Sequence, residues 1–127
     1  MTDITTIMRG DPSGAELVNF ARQIADTLVG QNLTSSQIRN IFTEVRKIEA
    51  IWESRQIEAL RRLNMLKPKL DYAVARASAV RELRDVLSKA IDEVNSASEA
   101  ERAERFQRFM DLFEAILAYH RSKGGKK

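Results

Sequence analysis

Apolar side chains recur at intervals of three and four residues along almost the whole chain, which is the spacing of one face of an α-helix. Only five glycines and two prolines interrupt this pattern, too few for an all-β fold that needs a turn about every ten residues. A chain of 127 residues can bury one cooperative core but not two ordinary domains. We therefore predict an all-α protein, a compact bundle of four to five helices that forms a single domain over residues 1–127.

Two short motifs mark the starts of predicted helices. Thr34 can accept a hydrogen bond from the backbone of Gln37 while the Gln37 side chain reaches back, which is the arrangement of a capping box. Ser98 and Glu101 have the same spacing and predict a second box before the last helix. At the two ends of the chain, we expect residues 1–12 and 122–127 to be flexible.

The helix that follows the first capping box is predicted to be long. Its apolar pattern places Trp52 in the core and continues through Leu63, so the helix is long or bent. We expect it to end before Pro68, because the residue before a proline avoids the α region, and Pro68 suits the first position of a new helix. Lys67 and Lys69 would then flank a helix N-terminus, where free backbone N–H groups can hold a phosphate.

The residue types that carry most enzyme chemistry are absent or isolated. There is no cysteine, which excludes disulfides, thiolate nucleophiles and cysteine-ligated metals. The single histidine, His120, lies near the end of the last helix, where a cation complements the helix dipole. No Glu-x-x-His pair and no phosphate-binding glycine loop occurs. We therefore expect no catalytic residue, no metal and no cofactor, and a small enzyme is the least favoured function.

No segment of the sequence is suited to a membrane. The longest uncharged run, residues 27–38, has 12 residues, whereas a membrane span needs about 20 mostly apolar ones. The first residues lack the basic and apolar regions of a secretory signal. We expect a cytoplasmic protein with no membrane partner.

Charge is unevenly distributed along the chain. The net charge is only +3, but residues 34–84 include 11 basic and 6 acidic residues, so this is where a polyanion would bind. Arg39, Arg46, Lys47 and Arg61 fall within about 100° of one another on the predicted long helix and form a basic face on it. The candidate phosphate-binding residues are Arg39, Arg46, Lys47, Arg61, Lys67, Lys69 and Arg76. The alternative is a solvated face crossed by ion pairs three or four residues apart. Pairs with that spacing are Glu44–Lys47, Arg46–Glu49, Glu58–Arg61 and Glu58–Arg62.

The aromatic residues do not predict base stacking. Most of them lie on apolar stripes and are expected in the core: Phe42, Trp52, Phe106, Phe109 and Phe113. Tyr72 is the exception, because it lies beside the apolar face of its helix. With few free aromatic rings, RNA is expected to be contacted through backbone phosphate and shape, without sequence readout.

Three segments of the chain carry a resemblance to a known family. Residues 34–39 (Thr-Ser-Ser-Gln-Ile-Arg) precede Phe42 and Lys47, residues 66–70 (Leu-Lys-Pro-Lys-Leu) precede Tyr72-Ala73 and Ala75-Arg76, and residues 113–115 (Phe-Glu-Ala) precede an Ala-Tyr-His run at 118–120. These segments resemble the small subunit of type III-A CRISPR effector complexes. The resemblance covers roughly residues 16–121, with the segments in the same order and separated by matching gaps. Asp71 departs from the family pattern, which has a small residue there.

The resemblance implies an all-α, non-catalytic structural subunit that works in antiviral defence. In the family, several copies stack along the guide RNA and the target RNA paired to it, beside the backbone subunits and the large subunit, and hold the RNA through basic residues. Target cleavage belongs to the backbone subunits, and DNase and cyclic oligoadenylate synthesis belong to the large subunit. The expected partners are therefore guide RNA, target RNA, those subunits and neighbouring copies of the chain itself.

A second interpretation, from another functional class, is a helical adaptor that binds only proteins through an exposed apolar groove. The two interpretations differ in their dependence on salt. Binding to RNA phosphates weakens steeply as salt rises, whereas apolar protein binding does not.

Overall fold

The computed structural model describes residues 3–124 of the chain. Every regular element among those residues is helical, so the all-α prediction is confirmed. The six α-helices are α1 (Ile4–Gly10), α2 (Ala15–Gly30), α3 (Ser35–Trp52), α4 (Gln56–Arg76), α5 (Arg81–Ser96) and α6 (Glu99–Ser122), with a short 3-10 helix at Ser78–Val80. The predicted count of four to five helices is too low. None of the described helices is both long and apolar enough to cross a bilayer.

Helix α6 lies at the centre of the packing, in contact with α1, α2, α3 and α5. It can do so because apolar side chains cover a wide part of its surface. Its buried residues are Phe106, Phe109, Met110, Leu112, Phe113, Ile116 and His120. Trp52, at the end of α3, is buried and stacks on Phe106 with ring centroids 4.0 Å apart, which confirms Trp52 as a core residue.

The long helix predicted after the first capping box is interrupted at residues 53–55, where the chain turns and α4 begins. This turn lets α4 fold back along α3, so that Ile48 and Leu66 line the same groove. A straight continuation would have carried the apolar face of residues 56–76 away from the core. The interruption therefore follows from packing between two helices.

The helix boundary predicted at Pro68 is wrong, because α4 continues through the proline to Arg76. Four apolar side chains on one face of α4 are buried on both sides of Pro68: Leu63, Leu66, Leu70 and Val74. Burying each contributes about 1.5–3 kcal/mol, which together outweighs the roughly 3 kcal/mol cost of a proline inside a helix. The N-terminus expected between Lys67 and Lys69, and the phosphate site based on it, are therefore not present.

The two predicted capping boxes have different outcomes. At Thr34 the box is complete, since the Gln37 N–H donates to the Thr34 hydroxyl at 3.1 Å and the Thr34 N–H donates to the Gln37 side chain at 2.8 Å. At Ser98 the hydroxyl instead donates to the Glu101 carboxylate at 3.1 Å, and the Ser98 side chain makes no capping bond to the helix backbone. The second box is therefore not formed.

The first part of the chain, where flexibility was expected over residues 1–12, contains α1. Ile7 and Met8 of α1 are buried, and the Arg9 Nε donates to Glu93 of α5 at 2.6 Å. Asp3 caps this helix by accepting from the Thr6 N–H at 2.8 Å, and that bond lowers the pKa of the Asp3 carboxyl. At the other end, residues 125–127 of the segment expected to be flexible lie outside the described residues.

His120 lies in the last turn of the last helix, as expected, and its side chain is buried. Its Nε2 lies 2.7 Å from the backbone carbonyl of Leu33, in the connection between α2 and α3. The side chain therefore joins two parts of the core that are 87 residues apart in the sequence.

Candidate nucleic-acid interface

A groove of about 520 Å³ runs between α3 and α4. Lys47 of α3 lines it together with three cations of α4, Arg61, Arg62 and Lys69, above a floor that includes Leu66. Residues later in α4 lie beside residues earlier in α3, so the two helices run antiparallel. This hairpin brings together three of the predicted residues, Lys47, Arg61 and Lys69, from separate helices.

The acidic residues near the groove neutralise only some of its cations. Glu44 lies 3.9 Å from Lys47, and Glu58 lies 2.9 Å from Arg62. Within residues 3–124, no ion pair involves Arg61 or Lys69, and the Glu58–Arg61 pair allowed by the sequence is not formed. The groove therefore keeps a net positive charge at its rim.

Arg39 and Arg46 are exposed on a different flank of α3 and do not line the groove. Arg46 pairs with Glu49 at 3.3 Å and lies 5.8 Å from the ring centre of Phe42, whose other neighbour is Phe113 of α6. Successive helical residues are rotated by about 100°, which separates Arg46 from Lys47. The basic face predicted for one long helix is therefore divided between two flanks.

Lys67 lies on the opposite side of α4 from the groove. Residues two positions apart in a helix are rotated by about 200° around its axis, so Lys67 and Lys69 point to different flanks. Lys67 forms an ion pair with Asp92 of α5, beside the hydrogen bonds between Asn64 and Asn95. Among the candidates, Lys67 is the one whose ion pair joins two helices, α4 and α5, rather than neighbours within one helix.

The solvent-facing side of α4 carries a continuous stripe of exposed residues. Three of them are basic and three are large and apolar or aromatic, and they fall within about 120° of one another around the helix. In order, this α4 stripe consists of Ile57, Arg61, Met65, Lys69, Tyr72 and Arg76. Tyr72 has 63% of its surface exposed, although its sequence position only marked it as lying beside the apolar face.

Arg62 and Met65 are groove residues that sequence reasoning did not single out. Arg62 had been considered only as a partner of Glu58. Both residues could be identified only if the turn at residues 53–55 were known. That turn contains neither glycine nor proline, so the sequence does not mark it. Without a known turn, the part of α4 that faces α3 cannot be deduced from periodicity alone.

No group of three or more metal-ligating side chains occurs among residues 3–124. The groove itself contains cations, apolar side chains and Glu44, without a histidine or hydroxyl group. Its chemistry is that of a surface that attracts an anion.

Comparison with known proteins gives the family. The family model for Csm2 of type III-A systems matches residues 11–126. The chain belongs to the Csm2 family. It is thus a small subunit of a type III-A CRISPR effector and takes part in such a complex. No curated protein and no solved structure matches the chain. Within this Csm2 family member, the matched residues include α2 to α6 and therefore both helices of the groove.

Proposed function

We propose that this chain is a non-catalytic, RNA-binding structural subunit, of which several copies lie along the duplex of guide RNA and target RNA in the cytoplasm. Neighbouring copies, the backbone subunits and the large subunit complete the assembly. The groove between α3 and α4 is the part of the chain that holds the RNA.

The observation that carries this proposal is the convergence of cations from two helices at one groove. Lys47, Arg61 and Lys69 meet at one groove, and the last two have no ion-pair partner among residues 3–124. Solvated surface charges are usually balanced by neighbours three or four residues away. Cations left without such neighbours are available to replace the counterions of a phosphate backbone.

The composition of the groove favours contact with phosphates over contact with base edges. Its polar residues are Lys47, Arg61, Arg62 and Lys69 with Glu44 alone as an acceptor. To read base edges in a duplex, side chains must reach into a groove of the nucleic acid. The major groove of an RNA duplex is too narrow to admit them. Phosphate contacts carry no sequence information, so affinity is expected to be nearly independent of RNA sequence.

The other predicted residues take different places in the proposal. Arg76 extends the contact along the α4 stripe, and Arg39 and Arg46 form a second row on the neighbouring flank of α3. Lys67 contributes least, because Asp92 already neutralises its charge.

The first prediction concerns the groove cations. Replacing Lys47, Arg61 and Lys69 together by alanine should lower the slope of log affinity against log salt by about two to three units, since each lost phosphate contact removes 0.7–0.9. The measurement is RNA affinity of the full chain over a range of salt concentrations. All three residues are exposed, so the circular dichroism of the triple variant should show the same helical content as that of the unaltered chain.

A matched control removes three exposed cations far from the groove: Arg22 of α2, Lys89 of α5 and Arg121 of α6. Both variants lose the same net charge, so only a local binding surface distinguishes them. Arg39→Ala with Arg46→Ala is the intermediate variant and should lower the slope by about one to two units. An equal slope for the groove variant and the control variant would rule out the groove as the RNA site.

The adaptor interpretation has one observation in its favour, the exposure of Ile57 and Met65 on the α4 stripe, at 73% and 55%. If the adaptor interpretation is correct, the groove variant keeps its RNA affinity, and Ile57→Ala with Met65→Ala weakens partner binding in a manner independent of salt.

A further inference from the structure

We infer that Tyr72 and Arg76 form a stacking platform for an unpaired RNA base, at the end of the α4 stripe. This inference rests on the proposed function and adds a second kind of RNA contact to it. The ligand is any unpaired nucleotide, recognised through the face of its base.

The first observation is the exposure of an aromatic ring. All aromatic residues of the chain fall within residues 3–124, and Tyr72 is the one that is exposed, at 63%. The others are buried or half-buried in the core. An exposed tyrosine loses the free energy of burial that its ring would otherwise contribute, and nothing in the packing of α4 requires an aromatic residue at this position.

The second observation is that the ring is held by Arg76. Its guanidinium carbon lies 5.7 Å from the Tyr72 ring centre, and its Nη1 donates to the Tyr72 hydroxyl at 3.2 Å. Both contacts restrict the tyrosine side chain before any ligand binds. A ring that is ordered in advance loses less conformational entropy when a base stacks on it.

The third observation is the position of the ring between cations. Lys69 and Arg76 are about 10.5 Å apart along the axis of α4, with Tyr72 between them. A nucleotide whose base lies on the ring therefore has a positive side chain on either side for its phosphates. Asp71 does not cancel this charge, because its carboxylate accepts from Arg84 at 3.2 Å.

The chemistry selects unpaired nucleotides. In a continuous duplex, each base is stacked between its neighbours and offers no free face. An unpaired base can leave the stack, and every base has a face that stacks on an aromatic ring, whatever the sequence. The platform is therefore expected to prefer RNA with an unpaired nucleotide to a continuous duplex, while still ignoring sequence.

The experiment uses the full chain with two fluorescent RNA probes, each labelled with 2-aminopurine, whose emission is quenched on stacking. One probe is a duplex with the label as a single unpaired nucleotide, and the other is the same duplex with the label fully paired. Tyr72→Ala should weaken binding of the first probe at least about fivefold and abolish the quenching. Binding of the paired probe should stay the same.

Two further variants control for side effects of the substitution. Tyr72→Phe keeps the ring and should retain both affinity and quenching. Ile57→Ala removes an exposed apolar side chain from the same stripe, outside the groove, and should change neither probe's binding. The salt slope of Tyr72→Ala should equal that of the unaltered chain, because no charge is removed.

The outcomes separate this inference from the proposed function. If the unaltered chain binds both probes with a steep salt slope and Tyr72→Ala binds them equally well, the stacking platform is overturned and the groove remains. If the unaltered chain shows no salt-dependent RNA binding, the proposed function itself fails. If Tyr72→Ala keeps RNA binding but no longer assembles with the other protein subunits, the ring serves a protein contact and the inference is overturned.

Discussion

His120 is the residue whose surroundings differ most from what its sequence position indicates. The connection between α2 and α3 places Asn32 in a left-handed conformation, with φ of 65°, which asparagine tolerates better than most residues. The next carbonyl, that of Leu33, accepts from the His120 Nε2 at 2.7 Å. Because a carbonyl only accepts, Nε2 is the nitrogen that carries hydrogen. The imidazole therefore links the end of α6 to the connection between α2 and α3 inside the core.

The second prediction tests this structural role. His120→Leu fills the same space with an apolar side chain but leaves the Leu33 carbonyl without a partner. It should lower the free energy of unfolding by about 1–3 kcal/mol. Urea denaturation of the full chain measures the change. Arg121→Ala, at the exposed neighbouring position, should alter it by no more than about 0.5 kcal/mol. A His120→Leu variant as stable as the unaltered chain would contradict the assignment.

At the scale of the element, α4 is a helix in which tertiary packing overrides local preference. Pro68 has no N–H to donate and lies near the middle of the helix, yet the helix is continuous from Gln56 to Arg76. Pro68 is exposed, so its ring lies in solvent and does not push any core side chain aside. The proline thus weakens α4 without disrupting the packing that holds it.

The third prediction follows from that cost. Pro68→Ala should raise the free energy of unfolding by about 2 kcal/mol, because a helix-interior proline costs about 3 kcal/mol relative to alanine and greater freedom of the unfolded chain returns up to about 1 kcal/mol. Urea denaturation checks the stability. RNA affinity should not change, since Lys69 and Arg76 keep their places on the stripe. A loss of stability on this substitution would mean that the proline fixes a conformation that α4 needs.

The same contrast explains how much of the fold the sequence predicted. The start of α3 was predicted correctly because a capping box involves only Thr34 and Gln37, which are neighbours in the chain. The turn at residues 53–55 and the continuity through Pro68 were not, because both depend on which apolar faces meet in three dimensions. A local signal therefore predicts the start of α3, whereas packing decides where α3 ends, where α4 begins and that α4 continues through Pro68.

The candidate site was predictable to a similar extent. The excess of basic residues over 34–84 is a property of the sequence, and it identified Lys47, Arg61 and Lys69. Their convergence depends on the turn between α3 and α4, so the sequence placed Lys47 and Arg61 on one long helix with Arg39 and Arg46, and Lys69 on a separate helix after Pro68. Arg62 was missed for the same reason.

At the scale of the whole molecule, two grooves carry opposite net charge. The basic groove lies between α3 and α4, whereas a second groove, between α1, α2 and α5, is lined by Lys89 and five acidic residues. The acidic residues are Asp3, Glu82, Asp85, Asp92 and Glu93. Such an arrangement orients the chain in the field of a polyanion, because only one side is attracted.

The fourth prediction concerns the assembled complex. A single chain with a few phosphate contacts binds RNA weakly, whereas linked copies bind one RNA with a high effective concentration. The groove variant should therefore lower the salt slope of the complex by a multiple of its effect on the isolated chain, and the ratio gives the number of copies in contact with RNA. The measurement is affinity of both preparations over the same salt range. A ratio of one would show that a single copy touches the RNA in the complex, and a ratio of zero would show that none does.

The α4 stripe repeats its own pattern. Its cations Arg61, Lys69 and Arg76 follow one another at eight and seven residues, or about 12 Å and 10.5 Å along the axis. An RNA strand that slides along α4 by one such step meets the same sequence of charges again. If this surface holds RNA as proposed, it defines no starting point, so the register of the chain along the guide RNA would have to be set outside the α4 stripe.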